Sequence, residues 1–388
     1  TADDVIYSFE TLRDFGRPNM RRVYKIISKA EKIAPLTVKF TMGPGYDRET
    51  VMILTMMPVL SKAYWSKRNF DQTTLEIPVS SGPYKIAAVE PGRRIVYQRD
   101  PDYWARDLLQ NVGHNNIDRI TYEYFRDDTV AFEAFKSGDV DFRREYDAGK
   151  WASGYDFPAA RDGRAVQAAL PHGRPERTKG FIFNTRRPPF DDIRVRQALN
   201  LLFDFEWVNT NIFHGQYRRI TSYYPNAELA AQGLPSAEEL KILEPWRKDI
   251  PAAVFGPAWQ PPAVDLRANF READRLLKEA GWQIVGGKRM KDGKPFAFEI
   301  LLSAPEDEKV ALHFKRALTK MGIDATIRVL DNAAYIGRIN EYDFDMTLYY
   351  WLSTLSPGTE QILYWGCEAA KEPGRWNYAG ICHPAIDS

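Results

Sequence analysis

The stretch 183-FNTRRPPFDDIRVRQALNLLFDFEW-207 joins an apolar strand to an amphipathic helix through a cationic corner that contains two prolines. Each proline fixes its own φ angle and restricts the residue before it, so the segment 186-RRPP-189 is expected to stiffen the turn. Asp191 or Asp192 is expected to cap the helix, because a carboxylate accepts hydrogen bonds from the first helical N–H groups. This junction opens the second of two regions in which strands and helices alternate.

The alternation of elements predicts an α/β fold. In the first region, apolar spacing and turn residues predict helices at 2–14 and 48–68, a strand pair within 23–42, a hairpin at 79–104, and a β-α-β unit with strands 117–125 and 139–146 around helix 128–138. In the second region, they predict helices at 268–281 and 306–322, a hairpin through 292–293, and strands at 296–303, 323–330 and 343–351. The Pro-rich segment 224–265 is expected to be a long surface excursion.

The bulk composition excludes several functional classes. The chain has 388 residues, which is too long for one ordinary core and predicts two lobes or more. No run of 18 apolar residues is present, so membrane insertion is not expected. The formal net charge is +1, so no basic field is available to attract nucleic acid.

Metal and cofactor motifs are absent from the sequence. The five histidines form no HxH or HExxH pattern, and phosphate-binding and dinucleotide-binding glycine loops are missing, so no cofactor is expected. Asp343 and Asp345 share a strand face, where they either bind a cation or are ordinary polar residues. Cys367 and Cys382 either form a disulfide in an oxidising compartment or are two buried free thiols.

The aromatic run 349-YYWLSTLSPG-358 leaves a predicted strand at its carboxyl end. Ligands of α/β proteins bind at the carboxyl ends of the strands, so Tyr349, Tyr350 and Trp351 are candidate ligand contacts. The alternative is that Trp351 closes a core. The aromatic content of 13% fits either a cleft lined with aromatic rings or large cores.

Three long motifs, SSGPYKI…EPGRRIVYQRDPDYW, FNTRRPPFDDIRVRQALN and YDFDMTLYYW…NYAGICHPAID, occur in the same order as in the family 5 extracellular solute-binding proteins, which the chain resembles over nearly its whole length. The segments 203–245 and 356–365 are similar to the branch that imports microcin C-like peptides and other oligopeptides. The resemblance implies a two-lobe periplasmic binding fold of type II, cluster C-like, lacking both ends. Lobe I would comprise residues 1–180 and 351–388, and lobe II residues 181–350.

The resemblance also implies a function. The protein would be a monomeric receptor of an ABC importer, periplasmic or extracellular and membrane-tethered. It would capture an oligopeptide or peptide-like ligand, such as a microcin C-like or murein peptide, in an interlobe cleft and deliver it to the permease. No chemistry is expected. The alternatives are a receptor for a sugar or an opine, and a hydrolase acting on peptide or glycan, which the missing nucleophile–base and paired-acid motifs disfavour.

The site residues follow from the resemblance. Arg186 and Arg187 either grip a peptide carboxylate or form a solvated corner paired with Asp191 or Asp192. Thr354 stands where many peptide receptors of the family carry an Asp that holds the peptide's amino group, so Glu360 or Glu145 would supply that carboxylate, or the ligand is N-blocked. The remaining candidate ligand residues are Arg143, Asn184, Tyr349, Tyr350, Trp351 and Ser353.

Overall fold

The computed structural model describes residues 1–72, 74–262 and 265–387, without the side chains of residues 18 and 19. Within it the chain forms two compact units, Thr1–Arg144 and Glu145–Ser388. The assignment of residues 1–180 and 351–388 to lobe I and of residues 181–350 to lobe II stays a prediction. Among the described residues, no helix has the length and apolar character needed to cross a bilayer.

Unit one combines helices with two antiparallel sheets. Its elements in chain order are α1 (Ala2–Phe15), α2 (Pro18–Lys25), β1 (Ile27–Ala34), β2 (Thr37–Met42), α3 (Arg48–Thr55), α4 (Lys62–Trp65), β3 (Tyr84–Glu90), β4 (Arg94–Arg99), β5 (Arg119–Glu123) and α5 (Asp128–Ser137). Strands β1 and β2 pair with each other, and β3, β4 and β5 form a meander. Helix α1 packs its apolar side on β1 and β2 through Phe9 and Leu12, which are buried with Tyr24, Ile27 and Leu54.

Two predictions for unit one are wrong. The segment 139–146 forms no strand, and β5 pairs antiparallel with β4, so the predicted β-α-β unit does not exist. None of the residues 139–146 is buried, so the alternating apolar residues of this segment are not packed against a core as a strand of a sheet would be. The predicted helix 48–68 breaks after Thr55, because Pro58 lacks an N–H and disfavours helical backbone in the residue before it.

Unit two is an α/β structure. Its elements in chain order are α6 (Pro158–Arg161), β6 (Thr178–Phe183), α7 (Ile193–Leu202), α8 (Phe205–Asn211), α9 (Ala237–Leu243), α10 (Leu266–Glu279), β7 (Gln283–Val285), β8 (Lys288–Lys291), β9 (Lys294–Pro295), β10 (Ala297–Leu302), α11 (Glu308–Lys320), β11 (Asp324–Val329), α12 (Asn332–Asn340), β12 (Met346–Trp351), α13 (Glu360–Trp365), α14 (Cys367–Lys371) and α15 (Pro384–Asp387). The predicted helices, hairpin and strands of this region are confirmed, although β12 begins at Met346 rather than at residue 343.

The central sheet of unit two has the strand order β11-β10-β12-β6. Strands β10, β11 and β12 are parallel, whereas β6 runs antiparallel to β12 with Thr178 beside Trp351 and Phe183 beside Met346. The start of β6 therefore lies beside the carboxyl end of β12. Both faces of the sheet are covered by apolar residues. One core contains Leu199, Leu277, Ile300 and Phe314, and the other contains Leu301, Tyr335, Phe344, Trp351 and Tyr378.

The corner that opens helix α7 forms as the sequence indicates. Asp192 is the N-cap residue, and its carboxylate accepts a hydrogen bond from the backbone N–H of Arg194. The bond between Pro188 and Pro189 is cis. The predicted surface excursion is also confirmed, because no residue in 224–262 is buried. Residues 263 and 264 of that segment lie outside the described residues.

Candidate functional site

The exposed tyrosine pair at the carboxyl end of β12 is the first part of the candidate site. The rings of Tyr349 and Tyr350 are nearly parallel, with centroids 5.6 Å apart and an interplanar angle of 10°. Tyr350 is 37% exposed, while Tyr349 packs on Tyr378 at a centroid distance of 4.6 Å. Burial raises the pKa of the Tyr349 hydroxyl. The pair is thus anchored on one side and open on the other, at the sheet edge where ligands bind in α/β folds.

Trp351 lies in the core rather than on the surface. It is 5% exposed, and its indole N–H donates a hydrogen bond of 3.1 Å to the carbonyl oxygen of Trp376. Its ring packs against Trp365 at 4.9 Å and against Tyr223 at 6.5 Å. This packing favours the alternative in which Trp351 closes a core, and its contact with ligand stays a prediction.

The polar side chains of the loop after β12 are hydrogen-bonded within the protein. Ser353 Oγ donates to the carbonyl oxygen of Tyr223 at 2.6 Å, and Thr354 Oγ1 donates to that of Ser356 at 2.8 Å. Both oxygens of Glu360 accept from the backbone N–H of Gly358 at 3.1 Å. Two of these side chains bond within the loop and the third ties it to Tyr223, and no acidic side chain occupies position 354.

Glu360 lies close enough to Tyr224 and Tyr364 for its charge to act on their hydroxyls. Burial and, secondly, the negative charge of Glu360 raise the pKa of Tyr224 and of Tyr364. Tyrosine hydroxyls are protonated donors at neutral pH, and the upward shifts keep them so. Glu360 Oε1 also accepts from Gln361 Nε2 at 3.0 Å, and a carboxylate near tyrosine hydroxyls offers both acceptors and donors to amide groups.

The structure places Arg143 and Glu145 in different units. Arg143, in unit one, donates to Asp128 Oδ1 at 2.7 Å, and its guanidinium lies over the ring of Phe132. Glu145, in unit two, accepts from the backbone N–H of Asp147 at 2.9 Å and from the hydroxyl of Tyr155 at 3.2 Å. Both side chains already have protein partners, and their roles in ligand binding stay predictions.

Asn184, which directly follows β6, is bonded to the segment that precedes β12. It is fully buried, and its Nδ2 donates to the carbonyl oxygens of Tyr342 and Phe344, at 2.9 Å each. Its Oδ1 accepts from the backbone N–H and from Nη1 of Arg186. All the polar atoms of this amide are thus satisfied within the protein, which makes Asn184 a structural residue in this arrangement.

Arg186 donates five hydrogen bonds to oxygen atoms of the protein. Nε donates to the carbonyl oxygen of Ala370, Nη1 to Asn184 Oδ1 and the oxygen of Tyr378, and Nη2 to the oxygens of Ala370 and Asn377. The guanidinium also lies 3.7 Å from the ring centroid of Tyr342. Burial lowers the pKa of Arg186. Because a guanidinium has five N–H groups, none is left for a peptide carboxylate, and the predicted bidentate grip is incompatible with these contacts.

Arg187 forms the ion pairs of the corner, but with other partners than predicted. Nη2 lies 2.9 Å from Asp343 Oδ1, and Nη1 lies 3.1 Å from Asp345 Oδ1, whereas Asp192 pairs with Arg194. The Arg187 side chain holds the pKa of Asp343 below its usual range. These two acids are therefore partners of an arginine, and the described residues contain no cluster of His, Cys, Asp and Glu that could hold a metal ion.

A disulfide joins Cys367 and Cys382, whose Cα atoms are 4.4 Å apart. It links the start of α14 to the segment just before α15. The alternative of two buried free thiols is not what the structure contains. The bond fastens the segment whose carbonyl groups Arg186 also holds.

Sequence reasoning missed Arg177, the residue before β6. Its guanidinium lies 4.5 Å from the ring centroid of Tyr350 and 5.8 Å from that of Tyr146. No local pattern distinguishes this arginine from the other exposed ones. Its position depends on the antiparallel register of β6 and β12, which sets Thr178 beside Trp351.

Comparison with known proteins identifies relatives over the whole chain. Residues 1–372 match the family model described as bacterial extracellular solute-binding proteins, family 5 Middle. A putative binding protein of Brucella abortus (strain 2308) is 42% identical over 395 residues, and this match covers 100% of the chain and 64% of the relative. A peptidoglycan-binding protein of Agrobacterium fabrum, YepA, is 38% identical, with 100% of the chain and 65% of the relative covered.

A solved structure shows the same fold. The oligopeptide-binding protein AppA of Bacillus subtilis, in complex with a nonapeptide, superposes with a TM-score of 0.67 at 20% identity, covering 98% of the chain and 69% of AppA. This likeness confirms the expected α/β binding-protein fold. The chain spans 64% and 65% of the lengths of the two curated relatives, so what the whole protein binds and where it acts are inferences.

Proposed function

The chain belongs to the family 5 bacterial extracellular solute-binding proteins, and we propose that it is the ligand-capturing part of an ABC importer receptor for oligopeptides or peptide-like solutes. The receptor delivers its ligand to the permease, works as a monomer, and resides in the periplasm or on the outer face of the membrane to which it is tethered. A murein peptide is one candidate ligand, in keeping with the name of the peptidoglycan-binding relative. A microcin C-like peptide is the other.

The observation that carries this proposal is the open tyrosine pair at the carboxyl end of β12. Tyr350 is partly exposed, and the ring of Tyr349 packs nearly parallel to it. Aromatic faces of this kind supply a large contact area at a small cost in side-chain entropy. The parallel strands β10 and β11 end at the same edge of the sheet, which is where an α/β fold binds its ligand.

The polar groups beside the tyrosine pair support a peptide as the ligand. Glu360 with the protonated hydroxyls of Tyr224 and Tyr364 provides both acceptors and donors for amide groups. Thr354 is neutral, so an N-terminal ammonium finds no carboxylate at that position. Peptides with a blocked or modified amino end therefore suit this loop as well as free ones.

A sugar or opine receptor is the second candidate, because a partly exposed tyrosine ring also contacts the apolar face of a sugar. The hydrolase alternative is weaker, since the family is one of binding proteins. Native mass spectrometry of the full-length protein, purified without denaturation, tests the three functions together. A peptide that stays bound during purification and is released intact by acid supports the proposal, whereas a bound oligosaccharide favours the second candidate. Peptide fragments produced by the protein from an added peptide would favour the hydrolase.

A further inference from the structure

Arg177 lies at the sheet edge that carries the exposed tyrosine pair. Thr178 is beside Trp351 in the antiparallel register of β6 and β12, so the residue before it extends one position beyond the carboxyl end of β12. The guanidinium reaches back over Tyr350, 4.5 Å from its ring centroid. Arg177 is therefore part of the same surface as the ring proposed to contact the ligand.

The cation of Arg177 is held by aromatic rings without using its N–H groups. Its contacts are the faces of Tyr350 and Tyr146, and both rings are partly exposed. Among the residues that the structure describes, Arg177 has neither an ion pair nor a hydrogen-bonded side-chain partner. The neighbouring carboxylate of Glu176 faces His172 Nε2 instead, at 3.4 Å. A guanidinium fixed by ring faces keeps its planar N–H edge available for a planar anion.

The other two candidate arginines are unsuited to this role. Arg186 and Arg187 follow the carboxyl end of β6, whereas Arg177 precedes its amino end. At the usual rise per residue of a strand, these two ends lie about 20 Å apart. All five N–H groups of Arg186 are directed at protein oxygens, and Arg187 pairs with Asp343. An arginine that binds a ligand carboxylate must lie at the carboxyl end of β12 and must have N–H groups that are not bonded to the protein. Arg177 meets both conditions.

We propose that Arg177 binds a carboxylate of the ligand in bidentate fashion, which makes an anionic peptide the preferred substrate class. This inference rests on the proposed peptide-receptor function. The carboxylate is either the C-terminal group of the peptide or an acidic side chain, and both present the same planar pair of oxygens. Contact of the exposed part of Tyr350 with an adjacent part of the peptide then positions the carboxylate against the N–H edge.

The test is a competition experiment on the full-length, ligand-stripped protein, read by mass spectrometry of released peptides. The probes are tetrapeptide pools made from Ala, Gly, Leu, Ser and Tyr. In the first arm, the pool with a free C-terminus competes with its C-terminal amide. In the second arm, C-amidated pools carrying one Glu compete with the same pools carrying Gln. The variants are Arg177→Gln, Arg177→Lys and the matched control Arg174→Gln, which removes an exposed cation from the same segment.

The wild-type protein is expected to prefer the anionic pool at least about tenfold in one arm, as a charge-assisted bidentate contact requires. A preference in the first arm assigns the C-terminal carboxylate, and one in the second arm assigns an acidic side chain. The preference should fall below about twofold in Arg177→Gln, be reduced in Arg177→Lys, and persist in Arg174→Gln. Unchanged melting temperatures would show that the variants fold.

Two outcomes overturn the assignment while leaving the receptor function intact. One is peptide binding by the wild-type protein without preference in either arm, and the other is a full preference in Arg177→Gln. Failure of every pool to bind at millimolar concentration would overturn the peptide-receptor function itself, and the assignment with it.

Discussion

Replacement of Arg186 separates a structural role from a ligand-binding role. Arg186→Met removes all five hydrogen bonds of the guanidinium while keeping much of the side-chain volume. It leaves the carbonyl oxygens of Ala370, Asn377 and Tyr378 without this donor, and an unsatisfied buried acceptor costs about 1–3 kcal/mol. Because water reaches part of this half-buried site, we expect a total loss of about 3 kcal/mol of unfolding free energy.

Arg187→Met is the matched control, because it removes the adjacent guanidinium. Its side chain is 38% exposed, and exposed ion pairs such as those with Asp343 and Asp345 contribute about 0–1 kcal/mol. Urea unfolding of the full-length protein, followed by tryptophan fluorescence, measures both changes. Trp351 lies in the core beside the hydrogen bonds of Arg186, and Trp365 and Trp376 pack against that core. The reasoning is refuted if Arg186→Met unfolds at the wild-type urea concentration but loses affinity for peptide, because Arg186 would then be a ligand residue.

Four further predictions concern other parts of unit two. Thiol labelling of unfolded, unreduced protein should find no free thiol at Cys367 or Cys382, and reduction should lower stability by about 3 kcal/mol; two labelled thiols would contradict this. Trp351→Ala should lower the free energy of unfolding by about 3–5 kcal/mol, as a core truncation does, and an unchanged melting temperature with lost affinity would instead make Trp351 a ligand contact. Burial raises the pKa of Tyr335 to about 12, so the contribution of its protonated hydroxyl to the free energy of unfolding is fully present below pH 10 and should be lost as the pH rises towards 12. The free energy of unfolding should therefore fall less steeply with pH in Tyr335→Phe, and equal slopes for the two proteins would refute this. Because Thr354 is neutral, free and N-acetylated forms of one peptide should bind within about tenfold of each other, and a preference of about 100-fold for the free amine, about 2.7 kcal/mol, would show that another carboxylate holds it.

The sequence predicted elements well where local patterns decide them. The turn residues of the 79–104 hairpin, the capping aspartate of α7 and the glycine after α10 each act within a few residues of the element that they define. The segment 139–146 was predicted wrongly because its alternating pattern is not matched by any burial. Strand formation depends on a partner strand and a buried face, and neither can be read from the segment itself.

The candidate site was less predictable than the fold, because it depends on strand register and on distant backbone groups. Arg186 receives its partners from residues 370–378, which lie far along the chain and are brought near by the folding of the C-terminal segment. Arg177 acquires its position only once β6 pairs antiparallel with β12. The aromatic run at 349–351 was recognisable, but which ring is open and which is buried depends on the alternation of the strand across two cores.

The central claim is that the protein binds peptides and leaves them intact. Calorimetric titration of the ligand-stripped, full-length protein with the tetrapeptide pool, and separately with a pool of oligosaccharides, tests it most directly. We expect saturable binding of one peptide per protein, no heat from the oligosaccharides, and recovery of the peptides uncut by mass spectrometry. Saturable binding of the oligosaccharides alone, or cleavage of the peptides during the titration, would contradict the claim.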